Sequence, residues 1–220
     1  MIKTFNFRTP VKLEMSRKTV ISNKKIFEEA LYSLKPENLL QSLKFDKVSQ
    51  TLHVEKDRKF LLKNGYYLVG FGKAVLGIAA TLVSKLQGIF QKKSKYLTNA
   101  IEIFSLDGPV LKGGLLSIPS GTSDLPNFTN WIEACKKQNV EIFEGAYNNL
   151  PDENSEKAAK AVVDMVSNLD KEDVVIVLIS GGGSALLSMT IPGLKLDDKL
   201  DVIKLLSRAG ADIVELNTVR

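Results

Sequence analysis

Three consecutive glycines between two serines form the segment of this chain best suited to bind a ligand. Segment 180–184 reads Ser-Gly-Gly-Gly-Ser and follows an apolar run at residues 174–179. A short apolar run without alternation predicts a strand buried on both faces of a parallel sheet. Glycines let the backbone turn sharply, and a helix starting near Ala185 would add its free N–H groups and dipole. The sequence therefore predicts an anion site, with a plain strand-to-helix turn as the alternative.

A second glycine pair carries a lysine. Gly70 and Gly72 precede Lys73, after a predicted strand at 66–69. The segment differs from the dinucleotide fingerprint because Val75 replaces a glycine, and from the Walker loop because Ala74 replaces serine or threonine. A lysine at the start of its own helix is electrostatically disfavoured, which favours a role toward an anionic ligand or a transferring phosphoryl group. A solvated lysine on a surface turn is the alternative.

Three carboxylates are placed to hold a divalent metal or to accept a hydroxyl proton, namely Asp124, Asp152 and Glu215. A turn aspartate is more often a cap, and Asp152 also fits the cap of a helix predicted at 154–168. Near residue 220, Asn217 and Arg220 could bind an anion or belong to a frayed end. The sequence does not identify a set of metal ligands.

Histidine and thiol chemistry is limited by composition. His53 is the one histidine of the sequence, which excludes histidine–metal clusters and Ser-His-Asp triads within the chain. Ser180 and Ser184 therefore suit hydrogen bonds to a phosphate better than nucleophilic attack. Cys135 is the one cysteine, lies among helix-like residues and is predicted to be a structural thiol.

The elements that must position these segments alternate between strands and helices. Strands are expected at 66–69, 100–106, 115–118, 140–143 and 174–179, and helices at 22–34, 36–43, 74–86, 126–137, 154–168 and 196–209. Residues 48–58 are polar and end in a charged turn. This order predicts an α/β fold of three layers, Rossmann-like, with a mostly parallel sheet and helices on both faces. Ligands of such sheets lie beyond the carboxyl ends of the strands, where segments 70–73, 145–152 and 180–184 are expected.

Composition and charge exclude several classes of partner. The 220 residues are 44% hydrophobic and 25% charged, which is typical of a soluble globular chain. Five basic residues and one acidic residue in 1–20 account for most of the net charge of +5, so the surplus forms an arm and predicts no nucleic-acid partner. No apolar run approaches the roughly 20 residues of a membrane helix. We expect a cytoplasmic protein, with the arm as a mitochondrial presequence as the alternative.

Five motifs occur in order across nearly the whole chain from about Asn23. They are VGFGKA at 69–74, LPD at 150–152, LISGGGSALL at 178–187, IPGL at 191–194 and ELNTVR at 215–220. Together they resemble the glycerate kinases of the MOFRL type, the class II glycerate 2-kinase family. Segment 145–152 looks like the animal variant, because it lacks the Gly-His-Pro of the bacterial members. Residues 1–22, the basic arm, lie outside the resemblance, which implies that residues 23–220 are the family's N-terminal α/β domain, incomplete at its C-terminal end.

The resemblance also implies an activity. It is ATP-dependent phosphorylation of D-glycerate with Mg²⁺, in a cleft between that domain and a C-terminal domain. Lys73 would stabilise charge on the transferred phosphoryl group, Ser180, Gly181, Gly182, Gly183 and Ser184 would form the phosphate or substrate loop, and Asn217 and Arg220 would contact substrate. A homodimer is left open.

Two other functions compete with this one. The family continues beyond Arg220, so the chain is expected to be truncated before the family's C-terminal domain. It could then be a non-catalytic isoform or fragment that binds an anion or a partner chain. A Rossmann-like dehydrogenase is the third hypothesis, and Val75 in place of the third glycine disfavours it.

Overall fold

Seven strands and eight α-helices make up the part of the chain that the structure describes. The computed structural model describes residues 23–54, 57–88 and 108–219. The strands are β1 (Lys44–Asp46), β2 (Thr51–Val54), β3 (Arg58–Leu61), β4 (Tyr66–Phe71), β5 (Leu111–Pro119), β6 (Val140–Gly145) and β7 (Val175–Ile179). The helices are α1 (Asn23–Ser33), α2 (Pro36–Leu39), α3 (Val75–Leu86), α4 (Thr129–Lys137), α5 (Glu153–Ser167), α6 (Gly183–Leu186), α7 (Leu196–Arg208) and α8 (Ile213–Val219).

A four-stranded parallel sheet positions the segments singled out above. Its order is β6-β5-β4-β7, and all three pairings are parallel. The chain steps outward from β4 to β5 and β6, then returns to the other side of β4 for β7. The strand order therefore reverses between β4 and β7, which is where open α/β sheets bind ligands. The predicted α/β, Rossmann-like class is confirmed.

Helices cover both faces of this sheet. Helices α3 and α4 pack on one face around a core that includes Leu68, Leu116 and Leu178 from the strands. Helix α5 packs on β5 and β6, and none of its residues belongs to that core. Right-handed β–α–β connections place their helices on opposite faces of a sheet when the chain reverses its direction across the sheet, as this chain does before β7.

The structure corrects several details of the sequence prediction. Segment 48–58 is not merely polar, because β1, β2 and β3 form an antiparallel sheet that buries Leu52 and Val54. Strand β7 is not buried on both faces: among the described residues its one neighbour is β4, and Ile179 is 51% exposed. Helix α8 was not predicted, and α2 ends at Leu39 rather than near residue 43. The strand predicted at 100–106 lies outside the described residues.

The thiol prediction is confirmed. Cys135 lies on α4 and is fully buried, and burial raises its pKa to about 12. A thiol that stays protonated near neutral pH is a poor nucleophile. Cys135 is therefore part of the core.

The core also contains a phenol without a hydrogen-bond partner among the described residues. Tyr66 is 0% exposed, its hydroxyl has no partner, and burial raises its pKa. We expect Tyr66→Phe to raise the free energy of unfolding by about 1 kcal/mol, because it removes a buried polar group that is not satisfied. Urea unfolding checks this, with Tyr147→Phe on the exposed rim as a control expected to change nothing. A loss of stability in Tyr66→Phe would reveal a partner for the hydroxyl.

Candidate functional site

The loops after β4 and β7 are joined by main-chain hydrogen bonds at the point where the strand order reverses. The Lys73 N–H donates to the Gly181 carbonyl at 2.9 Å, and the Ser180 N–H donates to the Phe71 carbonyl at 3.2 Å. The Ala74 N–H donates to the Ser180 hydroxyl oxygen at 3.0 Å, so Ser180 caps the start of α3, where Ala74 has no side-chain cap of its own. The structure thus brings segments 70–74 and 180–184 together as one unit.

Two glycines make this close approach sterically feasible. Gly72 has a φ of +134°, and a Cβ there would lie 2.2 Å from the Ser180 hydroxyl oxygen. Gly182 has a φ of +88°, and a Cβ there would lie 3.1 Å from Cε of Lys73. The aliphatic part of the Lys73 side chain therefore lies against Gly182, and the residue as a whole is exposed at the rim of the sheet.

Four successive backbone N–H groups in the second loop have no acceptor within the described chain. They belong to residues 181–184, whereas the N–H groups of Ala185 and Leu186 donate to the Gly182 carbonyl and that of Ser180 to Phe71. The predicted helix after the glycines is shorter than expected, because α6 is a single turn that begins at Gly183. Its dipole is small, so the positive potential of the loop comes from the four N–H groups themselves, from Lys73 and from the start of α3.

The loop after β6 packs against the same turn. Ala146 forms a small buried cluster with Ala185 and Leu186 of α6, and the Ser117 hydroxyl of β5 donates to the Leu186 carbonyl. Ala146, Asn148 and Asn149 all have left-handed backbone conformations, with φ of 55°, 51° and 61°. The carboxyl ends of all four strands of the sheet therefore meet around α6.

Asp152 has the geometry of a helix cap. Its carboxylate accepts from the Ser155 N–H at 2.9 Å and from the Tyr147 N–H at 3.4 Å, and it forms a capping box with Ser155 at the start of α5. Burial alone would raise the pKa of this carboxyl, but hydrogen bonds from the backbone of Ser155, Ala146 and Tyr147 outweigh it and lower the pKa. These bonds occupy the carboxylate within its own loop, as expected of the helix cap that the sequence offered as the alternative role for Asp152.

Glu144 was missed by sequence reasoning. Its carboxylate accepts from the Gly121 N–H at 2.9 Å and from the Ser123 N–H at 2.6 Å, so it holds the loop after β5 in place. Asp124 lies exposed in that same loop. No local pattern marks Glu144, because its partners lie 21 and 23 residues earlier in the chain.

Two of the candidates near residue 220 lie on helix α8. Helix α8 packs on α7, and Glu215 accepts from the Asp212 N–H at 2.9 Å as part of a cap. Asn217 is exposed on α8. Arg220 lies outside the described residues.

The described ranges hold neither a metal-ligand group nor a membrane helix. No cluster of three histidine, cysteine, aspartate or glutamate side chains occurs in residues 23–54, 57–88 and 108–219. Over the same part of the chain, no helix has the length and hydropathy needed to cross a bilayer.

Comparison with known proteins relates this arrangement to other chains. Glycerate kinase of Rattus norvegicus is 37% identical over 200 residues, which are 90% of this chain and 34% of that protein. D-glycerate 2-kinase of Thermotoga maritima is 39% identical over 80 residues, which are 36% of this chain and 19% of that protein. The predicted resemblance to glycerate kinases is confirmed, and the chain spans about a third of the length of the rat relative.

A solved structure has the same fold. The crystal structure of a glycerate kinase from Thermotoga maritima superimposes with a TM-score of 0.59 at 22% identity, over 88% of this chain and 36% of that one. The family model described as "Domain of unknown function (DUF4147)" matches residues 22–220. A match over nearly the whole length shows that the chain belongs to this DUF4147 family.

Proposed function

We propose that the chain takes part in ATP-dependent phosphorylation of D-glycerate and supplies the anion-binding rim of that site. One observation carries this proposal: four backbone N–H groups at 181–184 lack an acceptor within the described chain and lie beside an exposed lysine. A row of amides next to a fixed cation binds phosphate or carboxylate. The names of the relatives supply the substrate and the type of reaction.

In this reaction a hydroxyl oxygen of glycerate attacks the γ-phosphorus of ATP, the bond from that phosphorus to the β,γ-bridging oxygen breaks, and phosphoglycerate and ADP form. Most of the catalysis of such a transfer is positioning and charge stabilisation. We assign charge stabilisation to the ammonium of Lys73 and phosphate binding to the N–H groups of 181–184. Ser180 accepts from Ala74, which leaves its hydroxyl hydrogen to donate toward the ligand. Gly72 allows the close approach of the two loops, whereas Gly70 leaves room for the Leu116 side chain and is retained as a proposed phosphate contact.

The described residues do not form a magnesium site by themselves. Asp152 and Glu215 both cap helices, and neither belongs to a cluster of three possible metal ligands in the described ranges. We therefore propose that Mg²⁺ would be supplied together with ATP, where it would offset negative charge on the phosphates. We retain Asn217 and Arg220 as proposed substrate contacts.

This chain covers only part of the length of its relatives, and it need not have their activity by itself. Because it spans 34% of the rat protein, parts of that protein without a counterpart here could complete the site. The alternative function is accordingly an anion-binding or partner-binding chain without turnover. We further propose a cytoplasmic location, or a mitochondrial one if residues 1–22 act as a presequence, and a homodimer is left open.

A coupled ADP-release assay with D-glycerate and ATP tests the proposal, with the rat glycerate kinase as positive control. Turnover by the 220-residue chain would establish the activity. ATP binding by calorimetry without turnover would favour the non-catalytic alternative. If the chain bound neither ATP nor D-glycerate, the proposal would be wrong, and binding of NADH instead would favour a dehydrogenase.

A further inference from the structure

The glycine loop is held at both ends, although the N–H groups of residues 181–184 at its centre have no acceptor within the described chain. At the near end, Ser180 bonds to Phe71 and to Ala74. At the far end, three side chains from three different elements reach the last residue of α6 or the segment that follows it. They are Ser117 on the Leu186 carbonyl, Glu156 accepting from the Thr190 hydroxyl at 2.7 Å, and Lys199 on segment 188–189. Three glycines have many accessible conformations, so the shape of the loop depends on such contacts.

Lys199 differs from the neutral Ser117 and from the partly buried Glu156, because its charge lies in the interior. It lies in the first turns of α7, is 9% exposed, and its ammonium donates to the buried Ser188 hydroxyl at 2.6 Å and to the Met189 carbonyl at 3.3 Å. Lysine is almost never buried to this degree in proteins, because removing an ammonium from water is costly. Charge-assisted hydrogen bonds are stronger than neutral ones and fix geometry more firmly.

The direction of this contact matters for the site. Ser188 lies one residue beyond Leu187, whose N–H donates to the Gly183 carbonyl at 2.9 Å. A displacement of Ser188 is therefore passed to Gly183 through a single hydrogen-bonded turn. The orientation of the four N–H groups therefore depends on the place that this turn keeps.

We propose that Lys199 is a positioning residue for the anion site: its ammonium fixes Ser188 and Met189 and so holds the N–H groups of 181–184 in a converging arrangement. This inference rests on the proposed function, since it assigns those N–H groups to an anionic ligand. It adds a residue that lies 15 positions beyond the loop and has no place in the glycine-rich motif.

The test uses the whole 220-residue chain labelled with ¹⁵N, and compares Lys199→Met with two matched variants on the same helix. Lys204→Met removes an exposed lysine that pairs with Asp201, and Ile203→Val trims a fully buried apolar residue while leaving the hydrogen bonds of Lys199 in place. Two quantities are measured: the backbone order parameters of residues 181–187, and the affinity for inorganic phosphate from the amide shifts of 181–184.

We expect Lys199→Met to lower the order parameters of the loop and to weaken phosphate binding roughly tenfold, the equivalent of one charge-assisted hydrogen bond. Lys204→Met should change neither quantity, and Ile203→Val should lower the unfolding temperature while leaving the loop unchanged. If Lys199→Met does not fold, Ser188→Ala, which removes the partner hydroxyl, carries the same expectation.

Two results would overturn the inference. One is that the Lys199→Met variant has the same loop order parameters and the same phosphate affinity as the unsubstituted chain. The other is an equal loosening in Ile203→Val, because a general loss of stability would then explain the effect. If the unsubstituted chain binds no phosphate, the proposed function fails, and the order parameters alone decide whether Lys199 holds the loop.

Discussion

Lys73→Ala is expected to lower kcat by about 10²–10³-fold while leaving the unfolding temperature nearly unchanged. The large effect follows from the loss of a positive charge beside the transferring phosphoryl group, which a mobile water molecule cannot replace. The small effect on stability follows from the structure: the side chain is exposed and its described packing is against Gly182, and the N–H bond to Gly181 uses the backbone. The coupled assay measures kcat, and a thermal melt measures stability.

Lys63→Ala is the matched control for this substitution. Lys63 is an exposed lysine just before β4, at the opposite end of the strand that leads to Lys73. The Lys63→Ala substitution removes the same charge from the chain but far from the rim, so kcat should stay the same. An unchanged kcat in Lys73→Ala would remove this residue from the mechanism, and equal losses in both variants would point to net charge instead.

Gly72→Ala is expected to destabilise the fold by on the order of 3 kcal/mol and to abolish anion binding. The φ of +134° is strained for any residue with a Cβ, and the new methyl would lie 2.2 Å from the hydroxyl oxygen and 2.7 Å from the carbonyl oxygen of Ser180. Neither loop can retreat without breaking the bond from the Lys73 N–H to Gly181. Urea unfolding gives the free energy, and a phosphate titration gives the affinity.

Gly181→Ala provides the contrast, since it adds the same methyl to the same pair of loops. Gly181 has no positive φ, and a Cβ there would meet nothing within 4 Å. Its stability should stay within about 1 kcal/mol of the unsubstituted chain, on the stable side if anything, because alanine restricts the unfolded state. Equal stability of the two alanine variants would contradict the close approach described at Gly72.

The parts of the fold that sequence predicts are those that local patterns decide. Strand β4 and helix α5 were predicted because an apolar run and a 3–4 spacing need no knowledge of distant partners. The cap of α5 was among the alternatives for Asp152 for the same reason, since its partner Ser155 lies three residues away. The gathering of Lys73 and Gly182 followed from a general rule of parallel sheets rather than from either residue.

The missed features depend on contacts between distant residues. Strand β2 was read as polar although Leu52 and Val54 alternate with Thr51 and His53, and its pairing with β1 and β3 is what makes these four residues part of a sheet. The exposure of Ile179 depends on what lies beside β7, which its own sequence does not state. The local sequence around Glu144 and Lys199 does not distinguish them from other charged residues. Only the tertiary structure shows that Glu144 accepts hydrogen bonds from the loop after β5 and that the ammonium of Lys199 is buried.

The hydrogen bond between Ala74 and Ser180 spans 106 residues. Contacts of such sequence separation form late, and during synthesis β4 leaves the ribosome long before β7. A nascent chain therefore carries the lysine before the amides of residues 181–184 have been made. A ligand at this rim binds only the finished sheet and stabilises it by mass action. The supply of that ligand in the cell would then help to set how much newly made protein survives quality control.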